Sequence, residues 1–394
     1  MTGEEYHIKQ CLFNEQSSGK TTDIGLTERR ALDIYKSLAW PKMAMTVPSL
    51  FLASSGAATL ALGAGVLNGS FATPTRFMNR WKWENVWALW AVLAMFVLPW
   101  IVAAVTVPHL FACYQSVEVT HALLLVIVFG AGYGIAAICF GLGIEAIGIA
   151  LNFAIALGTA TAVGSAIPLL WFHSQSLLTR QGLVIEAGIA LVVVGIALCG
   201  IAGRSKERDQ AKRVNEAARP ASPSFAKGLA LAIVAGAGSA LQNLGIAFGK
   251  PLLDRAAALG AGPGSQANVI WAPLLTATLI PYLIFCGRLW RKNHSWNLFF
   301  APQTARYWLF GLVMGGLWFS SIVIYGAAAV GMADLGPVLG WPLFMSAIIL
   351  TSNVWGLALG EWKSACRMSL ITMFAGLAGL ILGFCTLAWS SRLA

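Results

Sequence analysis

Charge is what this chain has least of. Of its 394 residues only 11% are Asp, Glu, Lys or Arg, while 58% are hydrophobic. No soluble fold of this length would comfortably expose or bury such a mixture, so a bilayer is its natural solvent. The seven cysteines (Cys11, Cys113, Cys139, Cys199, Cys286, Cys366 and Cys385) contain no CxxC pair and read as small hydrophobes. No GxxxxGK[ST] loop occurs, the five His are dispersed, and no nucleophile constellation can be assembled. An ATP-driven pump, a metal site, a cofactor and a catalytic centre are therefore not expected. The formal charge of +10 lies in short basic runs between apolar segments, not in one stripe. That pattern points to membrane orientation and away from nucleic acid. No cleavable signal peptide opens the chain, because residues 1–42 carry six basic and six acidic side chains and no long apolar core. Met43 or Met45 is an alternative start, since either sets the first apolar segment almost at the amino terminus.

What is present in abundance is hydrophobic length. Segments of about 20 apolar residues, enough to cross hydrocarbon, fall near 49–71, 87–107, 120–143, 146–171 and 182–203, and then near 227–248, 268–290, 305–329, 334–359 and 368–389. The expected fold is an all-α integral membrane protein of ten transmembrane helices. Its parts are a polar tail over 1–44, a five-helix unit over 45–203, a basic linker over 204–226 and a second five-helix unit over 227–394. Short cytoplasmic loops retain Lys and Arg. Sixteen such residues fall on one face, including Arg76, Arg80, Lys82, Arg204, Arg288, Arg291, Lys292 and Lys363, against Arg180, Lys250, Arg255 and Arg392 on the other. The richer face is expected to be cytoplasmic and both termini periplasmic, in a bacterial inner membrane.

A half with an odd number of spans can be duplicated only in inverted orientation. Gly143-Ile-Glu-Ala-Ile-Gly148-Ile-Ala-Leu151-Asn-Phe153 matches Gly331-Met-Ala-Asp-Leu-Gly336-Pro-Val-Leu339-Gly-Trp341 at a constant offset, and Leu67 to Pro74 parallels Leu244 to Pro251. The matches fall at the fourth and ninth spans and at the first and sixth, in the correct order. Two inverted five-helix repeats, and with them alternating access, are the expectation.

Four stretches carry a resemblance to a known family: NRWKWENVW (Asn79 to Trp87), FGKPLLDRAAALG (Phe248 to Gly260), GGLWFSSIVIYG (Gly315 to Gly326) and LGEWKSA (Leu359 to Ala365). In their order and spacing the chain resembles the L-rhamnose/proton symporter family of the drug/metabolite transporter superfamily, from about Gly56 to the carboxyl terminus. The resemblance implies a five-plus-five inverted-repeat carrier that takes up a deoxy sugar or related metabolite with protons.

A sugar site at membrane depth needs hydrogen-bond partners and aromatic faces, and each unsatisfied polar group there costs several kcal/mol. The buried amides Asn68, Asn152, Gln242, Asn243 and Asn353 are candidates, with interhelical glue as the alternative reading. Gln242 and Asn243 stand out because neighbours on a helix point about 100° apart, so one can face a cavity while the other braces it. Trp318, Tyr325 and Trp341 offer stacking surface, or else face lipid as interface anchors, the role expected of Trp81, Trp83 and Trp87. Pro168, Pro273, Pro281, Pro337 and Pro342 can free carbonyls for a ligand. Candidates for proton coupling are Glu145, Asp334 and Glu186, the last roughly 6 Å into its span by helical rise. Helix starts favoured by the dipole are the alternative for Glu145 and Asp334. Glu361 reads as structural beside Lys363. Gly376, Gly379 and Gly383 permit close helix contact, between protomers or within one chain, and the oligomeric state stays open.

The leading function is proton-linked, or other cation-linked, uptake of L-rhamnose or a related sugar. Export of a metabolite or drug is the alternative within transport, and a membrane sensor that only binds sugar is the alternative outside it. A membrane enzyme lacks paired catalytic groups at either face.

Overall fold

Hydrocarbon offers no partner for backbone N–H and C=O groups, so a chain this apolar must satisfy them internally. The computed structural model describes residues 47–213, 225–363, 365–390 and 393, and among them there is no strand. The tail over 1–44, the alternative starts at Met43 and Met45, residues 214–224 of the linker and Arg392 lie outside the described residues. Ser49–Ala394 forms one compact unit; Met1–Pro48 is the other, of which only Val47 and Pro48 are described.

The long helices are α1 (Val47–Ser70), α2 (Trp83–Thr106), α3 (Val117–Ile147), α4 (Ile149–Phe172), α5 (Arg180–Arg213) and α6 (Ala226–Phe248). After the short α7 (Lys250–Ala258) come α8 (Asn268–Asn293), α9 (Ala305–Gly331), α10 (Gly336–Ala358) and α11 (Arg367–Ser390). Among the described residues nine helices are long and apolar enough to cross a membrane, α2 to α6 and α8 to α11. Nine of the ten expected spans agree with these helices to within a few residues, except that α5 runs on to Arg213; the other, 49–71, falls on α1, which is not among the nine. Its extension is rich in Lys, Glu, Arg, Gln and Ala, all good helix formers. A single residue, Gly148, separates α3 from α4, and its φ of 86° is a value that side chains disfavour.

Two spans are not regular. In α2 the stretch Leu93–Val97 forms a π turn, with the Leu98 N–H donating to Leu93 O, just before Pro99. Proline has no N–H to offer Met95, and the wider turn accommodates the lost bond. In α6 a break falls at Ala240, one residue before Leu241-Gln242-Asn243. Close packing elsewhere depends on small residues. Gly130 and Gly134 of α3 lie on the backbone of α8, where a Cβ would meet Leu274 O and Thr278 O. The Thr278 hydroxyl donates across the same contact to Gly130 O at 2.9 Å.

The glycines of α11 are used within the chain: Gly376, Gly379 and Gly383 pack against Gly188, Val192, Gly195 and Cys199 of α5. A Cβ at Gly376 would stand 2.8 Å from Cys199 N and 2.9 Å from Gly195 O. Gly376→Val should therefore force α5 and α11 apart at a cost of about 1–3 kcal/mol. Gly316→Ala, whose Cβ meets nothing within 4 Å, should be neutral. Thermal unfolding of the purified variants in detergent measures both, and equal midpoints would contradict the close contact.

Candidate functional site

From α6, Asn243 reaches three other helices. Pro168 has no N–H, so the carbonyl of Gly164, four residues earlier in α4, loses its helical donor. The Asn243 amide fills that place, its Nδ2 donating to Gly164 O at 2.7 Å and also to Pro337 O of α10 at 2.8 Å. Its Oδ1 accepts a short hydrogen bond from the Tyr325 hydroxyl of α9. One side chain thus ties α4, α9 and α10 to α6, with Asn243 and Tyr325 both fully buried. Trp341 extends the node: its indole N–H donates to Ala160 O at 2.9 Å, and its ring lies 5.5 Å from Tyr325. Phe344 stacks on Tyr325 at 4.9 Å. Trp318, Tyr325 and Trp341 are all buried, so none of them faces lipid.

Asn243 has no bonding capacity left on its amide hydrogens, whereas its neighbour differs. Gln242 is 5% exposed and its Nε2 has no protein partner. Two more buried polar atoms beside the node are likewise unpartnered. They are Ser165 Oγ, next to Gly164, and Trp271 Nε1, which lies against Gly326, next to Tyr325. Buried polar groups are almost always hydrogen-bonded, so such a group marks where water or a ligand belongs.

A second cluster lies between α1, α2 and α9. Asn68 Nδ2 donates to Ser321 Oγ at 2.8 Å, and Ser321 donates to Trp318 O at 2.6 Å. Trp318 meets Trp90 edge-on at 5.2 Å, and Trp90 meets Phe71 at 5.5 Å, with the Trp90 N–H unpartnered. The remaining amides stand apart from both clusters. Asn152 donates to Phe140 O at 3.0 Å and braces the α3–α4 junction beside Gly143. Half-buried Asn353 donates to Ile349 O of its own helix.

A second proline-freed carbonyl sits in α8. Pro273 removes the donor for Val269 O, and the Tyr114 hydroxyl donates to it at 2.8 Å. Burial pushes the Tyr114 pKa well up, with the neighbouring Cys113 adding to it, so the phenol remains a donor.

Glu145, Glu186 and Asp334 are exposed. Asp334 lies 3.5 Å from Lys250, which also reaches Asp254 at 3.6 Å, and the His173 ring contacts Asp334 O at 3.1 Å. At the opposite helix ends Glu361 pairs with Arg76 at 2.7 Å and Lys206 at 3.9 Å. The carboxylate that sequence reasoning passed over is Glu84, 2% exposed, the one buried acid among the described residues. Its Oε1 accepts from Asn293 Nδ2 at 2.9 Å and Ser295 Oγ at 2.5 Å, while Asn85 Nδ2 donates to Ser295 O at 3.0 Å. These bonds fasten the start of α2 to the end of α8. The signal lay in two polar runs, Trp83-Glu-Asn and Asn293-His-Ser, each set beside an apolar span. Trp81 is also no lipid anchor: it is buried between Phe299, Tyr307 and Trp308, whereas Trp83 is exposed.

Comparison with known proteins gives a consistent result. Residues 55–388 match the family described as L-rhamnose-proton symport protein (RhaT). An L-rhamnose-proton symporter of Cronobacter sakazakii is 30% identical over 318 residues, which cover 79% of this chain and 90% of that protein. One from Klebsiella pneumoniae subsp. pneumoniae is 28% identical over 319 residues, covering 79% and 91%. Another from Shigella dysenteriae serotype 1 is 28% identical over 318 residues, covering 79% and 90%.

The tie between Asn243 and the Gly164 carbonyl can be tested by a double-mutant cycle. Asn243→Ala should cost about 1–3 kcal/mol by leaving buried acceptors and the Tyr325 hydroxyl unpaired. Pro168→Ala restores a backbone donor to Gly164 O, so the double variant should recover part of that loss. Additive losses in thermal unfolding would refute the capping role.

Proposed function

The chain belongs to the L-rhamnose-proton symport protein family, and from that premise we propose that it is a secondary active transporter carrying L-rhamnose or a related sugar inward with protons. The family is one of symporters and not of enzymes, and it leaves the exporter and sensor readings without support. The protein is accordingly a multi-pass inner-membrane carrier.

The observation that carries the sugar reading is the pairing of unpartnered buried polar atoms with aromatic walls. A deoxy sugar presents hydroxyls around its rim and C–H groups on its faces. Gln242 Nε2, Ser165 Oγ and Trp271 Nε1 would meet the hydroxyls, and Trp318, Tyr325 and Trp341 would supply rings for the faces. In this reading Gln242 touches sugar and Asn243 positions it, Asn68 holds Trp318 through Ser321, Asn152 braces α4 against α3, and Asn353 serves its own helix.

With α1 counted as a span, ten helices fall into two halves of inverted sense. The packing of the first helix of each half supports this. Gly65 and Gly69 of α1 lie on Phe344, Ala347 and Thr351 of α10, and Asn68 reaches α9. Gly236 and Gly238 of α6 lie on Ala156 and Thr159 of α4 and Ala136 of α3. The first helix of each half therefore rests on the third and fourth helices of the other. The ion pairs support the orientation: Arg76, Lys206 and Glu361 meet at one end of the bundle, Lys250, Asp254 and Asp334 at the other. The first end, richer in Lys and Arg, is cytoplasmic, so both termini are periplasmic.

Of the acids, Asp334 is the coupling residue this arrangement favours. It shares Lys250 with Asp254, so its protonation would hand the ammonium to Asp254. It also lies three residues before Pro337, whose carbonyl Asn243 holds. Glu186 and Glu145 rank behind it, as neither has an ion pair among the described residues.

In proteoliposomes, external labelled L-rhamnose should accumulate transiently against preloaded unlabelled sugar; no such counterflow would sink the carrier reading. Gln242→Ala should raise the half-saturating concentration about tenfold, as loss of one buried ligand bond implies. Asp334→Asn should retain counterflow and lose accumulation driven by a proton gradient. Retained gradient-driven accumulation would remove Asp334 from the coupling role. For topology, alkaline phosphatase fused at the carboxyl terminus should be active and a green fluorescent fusion dark. The reverse result would invert the assignment.

A further inference from the structure

The end of α8 holds a feature that sugar transport does not use. His294 closes the helix in the left-handed conformation, φ 49°, with its backbone N–H on Trp290 O. Beside this turn lies an open cavity of about 490 Å³ lined by Gly287, Trp290, Arg291, His294, Trp296 and Asn297. No acid lines it. Arg291 has no ion pair among the described residues, and the buried Trp290 Nε1 has no partner. Trp290 and Trp296 meet edge-on at 4.9 Å. The nearby acid, Glu84, is already held by Asn293 and Ser295 of the same turn. The cavity therefore offers a guanidinium, an imidazole and an amide to an anion. The charges of Arg291 and Lys292 outweigh the partial negative charge of the helix end.

What identifies the anion is the surface leading to it. Ile280, Ile284, Gly287 and Arg291 follow one another at helical spacings of four, three and four, so they share a face of α8. Ile280 and Ile284 are more than half exposed, and a Cβ at Gly287 would meet nothing within 4 Å. An aliphatic strip thus runs along a membrane-crossing helix and ends in a cationic pocket, with exposed Trp296 and Phe300 at the same level. A free phosphate would use only the pocket; a phospholipid uses both. We propose that this cavity is a binding site for the phosphate headgroup of an anionic phospholipid whose acyl chain lies along Ile284 and Ile280. Basic pockets at the ends of transmembrane helices hold such headgroups by charge, and aromatic side chains fix their level. Because the same turn fastens Glu84, a bound lipid would also brace the joint between α2 and α8.

Native mass spectrometry of the full chain, released from neutral detergent after addition of phosphatidylglycerol or phosphatidylcholine, tests this. The chain should retain one phosphatidylglycerol in preference to phosphatidylcholine. Arg291→Gln should lower its retention about fivefold, the effect of removing one surface cation. His294→Asn keeps a residue that accepts the left-handed turn and should lower retention as well. Gly287→Leu, which changes no charge, should block the strip and reduce retention too. Lys363→Gln, an exposed cation at the same end of the bundle, should leave it unchanged. Equal retention of the two lipids would overturn the site, as would equal losses at Lys363 and Arg291. Displacement of phosphatidylglycerol by millimolar glycerol phosphate would assign the pocket to a soluble anion and overturn the lipid. An unchanged melting midpoint for each variant in lipid-free detergent keeps these outcomes separate from misfolding.

Discussion

Everything inside this bundle answers to one constraint: a carbonyl at membrane depth must have a donor. Prolines in two spans create carbonyls that their own helices cannot serve, and polar side chains from elsewhere in the chain serve them. Asn243 donates to Gly164 O and Tyr114 to Val269 O, at 2.7 and 2.8 Å. In water such bonds contribute about 1 kcal/mol, because solvent competes. In hydrocarbon the alternative is an unmet group costing several, so these contacts fix which helices are neighbours. The packing of Tyr325, Trp341 and Phe344 around Asn243 follows from that choice.

The same constraint separates bracing from binding. An amide whose hydrogens and oxygen are all committed, as in Asn243, cannot receive a substrate without dissolving the node. One with a free hydrogen-bond donor, as in Gln242, can. Proximity to aromatic rings does not discriminate between them, and neither does burial, since both are buried. The count of committed lone pairs and hydrogens does. By this measure Asn152 stands between the two, its Nδ2 committed to Phe140 O and its buried Oδ1 unpartnered, while Asn353 serves its own helix and Asn68 acts on Trp318 through Ser321.

The spans could be read from the sequence because hydrophobic length is a local property. The chain needs about 20 apolar residues per crossing, and helix ends such as Gly331, Ala358 and Ser390 fall near where polarity returns. The prolines were visible too, but not their partners. Pro168 announces a free carbonyl at Gly164, whereas the donor lies 79 residues away and is fixed only by packing. Glu84 was hidden for a related reason. Between Lys82 and Trp83 on one side and an apolar run on the other it reads as an ordinary acidic helix start, favoured by the dipole. Its burial is produced by the Asn293–Ser295 turn, more than 200 residues on. The glycines of α11 could equally have served a second protomer, and only the facing glycines of α5 reveal that they do not.

The two proline-capping bonds run in opposite directions between the halves of the chain. Asn243, after the linker, serves a carbonyl before it; Tyr114, before the linker, serves one after it. During synthesis the amino-terminal half enters the bilayer first, with Gly164 O still lacking its donor. It can be completed only when α6 emerges. A ribosome that stalls in the linker therefore leaves behind a polar defect in lipid, the kind of lesion that membrane chaperones hold and membrane proteases remove. The carboxyl-terminal half, made alone, would carry the complementary defect at Val269. Each half thus holds the donor for a carbonyl of the other, and both bonds exist only once the whole chain is made.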